Sequence, residues 1–107
     1  MITVKYNRAY NKLTVSGHAV AGKMGEDLVC SAASILVHTL SANVGNLQEA
    51  GLAEDAYSEI REGYACIRCR AARGCEAIIS RTYQSVCVGF EIMADKFPEY
   101  ISYKILG

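Results

Sequence analysis

The sequence predicts an α+β domain with the element order ββαββαβ, in which two helices pack on one face of a mixed or antiparallel sheet. Three observations predict this fold class. Apolar residues alternate in short stretches near both ends and in the middle, they recur at three- and four-residue steps in two longer stretches, and turn residues separate these segments. The chain has 107 residues, so we expect a single domain over residues 1–107.

The N-terminal half is predicted to contain a hairpin and a helix. Apolar residues alternate over 2–6 and again over 13–17, with a polar connection at 7–12. Helical spacing of apolar residues then runs from Val29 to Leu47. We take Asp27 as the N-cap of this helix, which ends near Gly51.

The C-terminal half is predicted to contain a second hairpin, a second helix and a last strand. Strand candidates cover 53–61 and 64–71, with Glu62 and Gly63 at the turn between them. The second helix runs from about Gly74 to Phe97, because apolar residues again follow helical spacing and Pro98 stops the helix. The last strand covers 101–105.

Composition excludes several classes of function. Eleven basic and eleven acidic side chains cancel, so no overall field favours binding to nucleic acid or to lipid head groups. The N-terminus lacks a long apolar segment after a basic head, and no run of about eighteen apolar residues occurs, so the sequence predicts neither export nor a membrane span. We therefore expect a cytoplasmic protein.

The five cysteines are predicted to be free thiols. Their number is odd and the chain is not expected to be secreted, both of which disfavour disulfides. Cys66 and Cys69 have the spacing of redox and zinc motifs, but on a strand residues three apart face opposite sides of the sheet, so we treat the motif as accidental. Cys75 and Cys87 lie on or beside the apolar stripe of the second helix and are interpreted as small core side chains.

The only local concentration of basic residues comprises Arg68, Arg70, Arg73 and Arg81. Arg68, Arg70 and Tyr64 share one face of their strand, so a face toward RNA or the ribosome is one interpretation. A solvated strand face is the other, and we prefer it, expecting no direct nucleic-acid partner. The sheet face without helices meets solvent or forms a dimer contact through aromatic residues, and the sequence does not decide between these.

Chemistry is predicted around Cys30 and His18. With Asp27 as N-cap, Cys30 lies in the first helical turn, where unpaired backbone N–H groups and the helix dipole stabilise a thiolate. Of the two histidines, His38 lies eight residues beyond Cys30 on the same helix, about 12 Å along its axis, and is interpreted as a solvated surface residue. His18 ends the second strand, and the glycine-containing segment after it is long enough to fold back to Cys30, so His18 is the candidate base.

Each candidate has a purely structural alternative. Cys30 could be a small residue at the edge of the core, and His18 a hydrogen-bonded residue at a strand end. Asp27 either caps the helix or orients the imidazole of His18 as a third catalytic member. Gly22 and Gly25 either let the loop close over a bound peptide or only form a turn.

The pattern of these residues resembles a known family. Gly17-His18-Ala19, then Gly25-x-Asp27-x-Val29-Cys30, then Ala32 and Ser34 are similar to the ribosomal-processing cysteine protease family, known as Prp. The likeness extends over essentially the whole chain, since that family shows the same element order. Ser31 and Ala33 stand where the family pattern leads us to expect Ala and Val.

The resemblance implies a function. Cys30 would be the nucleophile and His18 the general base of a cysteine endopeptidase, with Asp27 as the matching acid and Gly22, Gly25 and Ser34 as candidate substrate-binding residues. The implied substrate is the N-terminal extension of large-subunit ribosomal protein bL27. The resemblance also implies a small homodimer with a mobile loop, residues 19–26 here, and no metal or organic cofactor.

Two hypotheses from other classes stay open. One is a non-catalytic module that binds RNA or the ribosome through its hairpin and arginines. The other is a thiol redox sensor, which would require Cys66 and Cys69 to pair reversibly.

Overall fold

The computed structural model describes residues 1–17 and 24–107, with side chains in the second range from Leu28 onward. The elements follow the predicted order. They are β1 (Ile2–Asn7), β2 (Lys12–Ser16), α1 (Met24–Glu49), β3 (Ala53–Arg61), β4 (Tyr64–Ala71), α2 (Glu76–Lys96) and β5 (Ile101–Leu106). One short 3-10 helix, Arg8–Tyr10, connects β1 to β2.

The strands form one mixed sheet with the order β3-β4-β2-β1-β5. β1 pairs with β5 in parallel, and the other three pairings are antiparallel. The last strand, β5, lies beside β1 and runs parallel to it. Parallel strands in a sheet need a long connection, which α2 provides before β5. This architecture confirms the predicted α+β class.

Helix α1 starts earlier than the sequence predicts. It begins at Met24, so Asp27 lies within its first turns and is not the N-cap, and the predicted cap is wrong. A Gly at position 25 is unfavourable in a helix interior, and Asp is a preferred N-cap, so local signals favoured a later start. The correction moves Cys30 out of the first turn.

One face of the sheet carries the hydrophobic core. Alternate residues of β1, β2 and β4 point at the helices, and among the fully buried ones are Val4, Leu13 and Ile67. Their partners on the helices include, among others, the following residues: Val29, Leu40, Val44, Ile79, Tyr83 and Phe90. The rings of Tyr6 and Tyr83 stack with centroids 5.8 Å apart, which fastens α2 to β1.

The apolar residues of α1 form one wall of this core. By length and composition alone, Leu28–Glu49 is apolar enough to cross a membrane, although the sequence predicts no membrane span. In the structure, every third or fourth residue from Val29 to Val44 is buried against the sheet or α2. The apolar stripe of α1 therefore has an intramolecular partner.

Candidate active site

Cys30 lies in the second turn of α1, half-buried at the edge of the core. Because the unpaired N–H groups and most of the dipole effect belong to the first turn, the predicted stabilisation by the helix terminus is wrong.

The thiol of Cys30 opens into a cavity of about 270 Å³ between α1 and one end of the sheet. One stripe of α1 forms a wall through Cys30, Ala33 and Val37, which follow one another at helical spacing. Ile2 and Val15 contribute apolar surface from β1 and β2. This volume lies just below the usual range for drug-sized ligands and is suited to one or two side chains of an extended peptide.

Gly17 joins the end of β2 to this cavity. Its N–H donates to the carbonyl oxygen of Gly63 at 3.0 Å, which holds the end of β2 against the β3–β4 turn. Its backbone has φ +103°, and an added Cβ would collide with the carbonyl oxygen of Met1. A glycine is therefore required at the position directly before His18.

The β3–β4 turn supplies the polar rim of the cavity through Arg61, Glu62 and Tyr64. Arg61 lies over the Tyr64 ring, 4.7 Å from its centroid, and its Nε donates to Glu59 at 2.9 Å. The hydrogen bond from Arg61, followed by that from Tyr57, holds the pKa of Glu59 below its usual value. Desolvation raises the pKa of Tyr64, so this side chain stays neutral at the rim.

The structure brings together part of the predicted site. Ser34 is exposed and lines the same cavity as Cys30. His38 is exposed on α1, as predicted for a solvated residue. His18 and Gly22 lie outside the described residues, and for Gly25 and Asp27 only the backbone, within α1, is described.

Sequence reasoning missed the contribution of the second hairpin to the site. Ile60 and Arg61 are separated from Cys30 by about thirty positions, and no local pattern connects them. The only signal was the predicted turn at Glu62 and Gly63, which fixes where the hairpin ends but not what it faces.

The remaining cysteines are free and lie away from this cavity. Cys69 belongs to the core cluster, where Tyr83 contacts its sulfur at 3.8 Å. Cys66 lies on the other face of the sheet, which it shares with its cross-strand partners Thr14 and Glu59. The two sulfurs therefore do not converge, as predicted. Cys87 is buried in the core, but Cys75 precedes α2 and is only half-buried.

A comparison with protein families adds to this geometry. The family model described as cysteine protease Prp matches residues 1–102. The chain belongs to the Prp family. It is accordingly a cysteine protease, a hydrolase of peptide bonds, as the resemblance implied. A comparison with curated proteins finds no match.

Solved structures, two of them of a Prp protease, share the fold of this chain. Prp from S. aureus in complex with a substrate peptide has a TM-score of 0.72 at 19% identity, covering 98% of this chain and 99% of that one. The S. aureus enzyme with a covalently linked product peptide has a TM-score of 0.67 at 24% identity, covering 98% and 99%. SMU.848 from Streptococcus mutans has a TM-score of 0.67 at 20% identity, covering 98% and 91%.

Proposed function

We propose that this Prp family member removes the N-terminal extension of ribosomal protein bL27, with Cys30 as nucleophile and His18 as general base. One observation carries the proposal. The half-buried thiol of Cys30 and the backbone of Gly17 line the same cavity, and His18 follows Gly17 by one peptide bond. A Cys/His pair at this cavity meets the needs of peptide hydrolysis through a thioester.

The proposed reaction has two steps. His18 takes the proton of Cys30, the sulfur bonds to the scissile carbonyl carbon, the C–N bond breaks, and the imidazolium returns the proton to the leaving amine. Water, activated by the same imidazole, then hydrolyses the thioester and frees Cys30. Asp27 lies three positions before Cys30 in the backbone of α1, and we assign it the orientation of His18.

The cavity is proposed to hold a substrate side chain next to the cleaved bond. Its inner surface is apolar, with Ile2, Val15 and Val37, so an apolar side chain gains the most from burial there. We propose that Ser34 and Arg61 on the rim contact the peptide backbone, with Gly22, in the segment before α1, and Gly25, at the start of α1, as further substrate-binding residues. The S. aureus Prp structure with a covalently linked product peptide supports covalent chemistry in this family.

The test is incubation of the full chain with bL27 carrying its N-terminal extension, followed by mass spectrometry. We expect the native protein to release the extension and the Cys30→Ala and His18→Ala variants to release none. Cys75→Ala is the matched control, because Cys75 is a half-buried thiol outside the cavity. Equal cleavage by Cys30→Ala would exclude Cys30, and no cleavage by the native protein would exclude bL27.

A homodimer and a cytoplasmic location complete the proposal. The likeness to the Prp family implies the homodimer. Sedimentation equilibrium of the native chain tests the first, since a dimer has twice the mass of the 11.6 kDa chain.

A further inference from the structure

The face of the sheet opposite the helices, here called the open face, carries an ordered arrangement of cations. From β1, β2, β4 and β5 it presents Lys5, Lys12, Arg68 and Lys104, each directed away from the core by strand alternation. Lys5, Arg68 and Lys104 are exposed, and Lys12 is half-buried. These four residues form what we call the cation stripe.

The pairing register places these charges next to one another. Lys5 lies opposite Lys104 in the parallel pair, and Lys12 lies opposite Arg68 in the antiparallel pair. Lys5 and Lys12 are diagonal neighbours, since Lys5 faces Thr14 across β1 and β2. The stripe therefore crosses four adjacent strands, roughly 14 Å at about 4.8 Å per strand.

Repulsion among the four side chains of the cation stripe destabilises the folded state unless an anion compensates their charge. Like charges directly opposite in a sheet are destabilising. The ion pairs of the described residues involve other arginines: Arg61 with Glu59, and Arg70 with Glu54 and Asp55. No carboxylate of the described residues lies within ion-pair distance of the cation stripe. The chain is neutral overall, so this concentration is a local feature.

Groups that can stack on bases lie at one end of the stripe. The guanidinium carbon of Arg68, an exposed residue, lies 4.5 Å from the centroid of the Tyr57 ring. Tyr10 is 72% exposed and lines, with Lys12 and Arg68, a recess of about 630 Å³ that also includes the ion pair of Arg70 with Asp55. Aromatic rings and arginine planes beside a line of cations are the elements of single-stranded RNA recognition on sheet surfaces.

We propose that the open face binds single-stranded RNA, with the cation stripe following the phosphate backbone and Arg68 and Tyr10 contacting bases. Because its charges lie in a line, the cation stripe matches a linear polyanion better than it matches an isolated phosphate. The cation stripe is on the opposite side of the sheet from Cys30, so this binding is independent of proteolysis and would act while a peptide occupies the cavity.

Fluorescence anisotropy with a labelled twelve-residue oligouridylate tests the proposal on the full chain. We expect a Kd in the micromolar range at 50 mM salt and a slope of log K against log salt of about −3, since each neutralised phosphate of a single strand contributes about −0.7. Lys12→Gln/Arg68→Gln should weaken binding by about tenfold or more and reduce the slope to about −1.4. The second pair, Lys5→Gln/Lys104→Gln, should do the same.

The matched control is Arg73→Gln/Arg81→Gln, which removes two exposed arginines beside or on α2. It should leave the slope unchanged. Equal loss in this control, or no loss in either stripe variant, would overturn the proposal. So would equal binding of polyglutamate, or binding to vesicles with 30% anionic lipid but not to RNA. Cleavage assays on the stripe variants separate this result from the proposed peptidase function, which they should leave intact.

Discussion

The two helices each carry a cysteine toward the sheet, and the two thiols have opposite surroundings. Cys30 on α1 is half-buried and opens into the cavity that Gly17 and the β3–β4 turn complete. Cys87 on α2 is 2% exposed, and burial raises the pKa of its thiol. The same residue type in the same layer is thus accessible at one end of the sheet and protected at the other.

The difference shows what makes a cysteine available for chemistry in this fold. Both helices supply an apolar stripe, but only α1 has its cysteine at the edge of that stripe and beside a strand end. Cys87 lies within the stripe of α2, between residues that fill the core. Position relative to the stripe, rather than the number of cysteines, therefore separates a candidate nucleophile from a packing residue.

Alkylation tests this comparison with the largest expected effect. In the native protein at pH 8, iodoacetamide should modify Cys30 on the order of 1,000-fold faster than Cys87, because Cys87 reacts only after a local opening of about 4 kcal/mol. Peptide mass spectrometry over a time course measures both rates. In 8 M urea the two rates should converge, and comparable rates in the native protein would contradict the comparison.

Substitution of Gly17 tests whether its close approach to Met1 holds the end of β2 beside the cavity. Gly17→Ala should lower the free energy of unfolding by about 3 kcal/mol, since its Cβ meets the Met1 carbonyl oxygen and its φ of +103° is unfavourable for alanine. Urea unfolding followed by circular dichroism measures the change.

Gly74→Ala provides the matched control for this substitution. Gly74 also has a positive φ, +82°, but open space surrounds the position of its Cβ. We expect a loss of about 1 kcal/mol. Equal losses for the two variants would mean that the close approach to Met1 does not hold the end of β2 in place.

Much of the fold could be predicted because its signals are local. The second hairpin has the predicted bounds, 53–61 and 64–71, because alternation defines the second of its strands and Gly63 adopts the positive φ that the turn requires. Strand alternation also separates Cys66 from Cys69 without knowledge of the neighbouring strands. The start of α1 was wrong because Asp27 carries a cap signal that the longer helix overrides.

The candidate site and the cation stripe depend on distant pairings and could be predicted only in part. Cys30 and Ser34 were recognised from their pattern, but the approach of Arg61 follows from how the second hairpin packs beside α1. Likewise, Lys12 and Arg68 become neighbours only through the register of β2 against β4. The interpretation of the arginines as a solvent-exposed strand face rested on composition. Composition carries no information about the register of neighbouring strands.

The buried thiols of Cys69 and Cys87 are expected to make the folded protein less stable at alkaline pH. Burial raises the pKa of Cys69 and of Cys87, so the folded state retains thiol protons that the unfolded state loses above about pH 9. The stabilisation of the folded state by these two buried thiols is therefore fully present below pH 9. It is lost as the pH rises toward the pKa that each thiol has in the folded protein. We expect the free energy of unfolding to fall between pH 9 and pH 10, measured by urea unfolding at each pH.

Cys87→Ala sharpens this pH prediction. The variant lacks one of the two protected thiols, so its unfolding free energy should decline less steeply between pH 9 and pH 10 than that of the native protein. Parallel declines in the two proteins would show that Cys87 does not remain protonated in the folded state. Comparing slopes cancels the packing lost with the sulfur, because that loss is the same at every pH.

The smallest effect concerns Tyr6, whose ring stacks on Tyr83 near Cys87. The Tyr6 side chain is 1% exposed, and its hydroxyl has no hydrogen-bond partner among the described residues. Tyr6→Phe therefore removes a buried polar group without breaking a hydrogen bond, and should change the free energy of unfolding by less than about 0.5 kcal/mol or raise it slightly.

Tyr83→Phe is the control, because the Tyr83 hydroxyl donates to the Ile67 carbonyl oxygen at 3.4 Å. It should cost about 1 kcal/mol. A larger loss for Tyr6→Phe than for Tyr83→Phe in urea unfolding would mean that a bound water satisfies the Tyr6 hydroxyl, so that the protected end of the sheet is polar rather than dry.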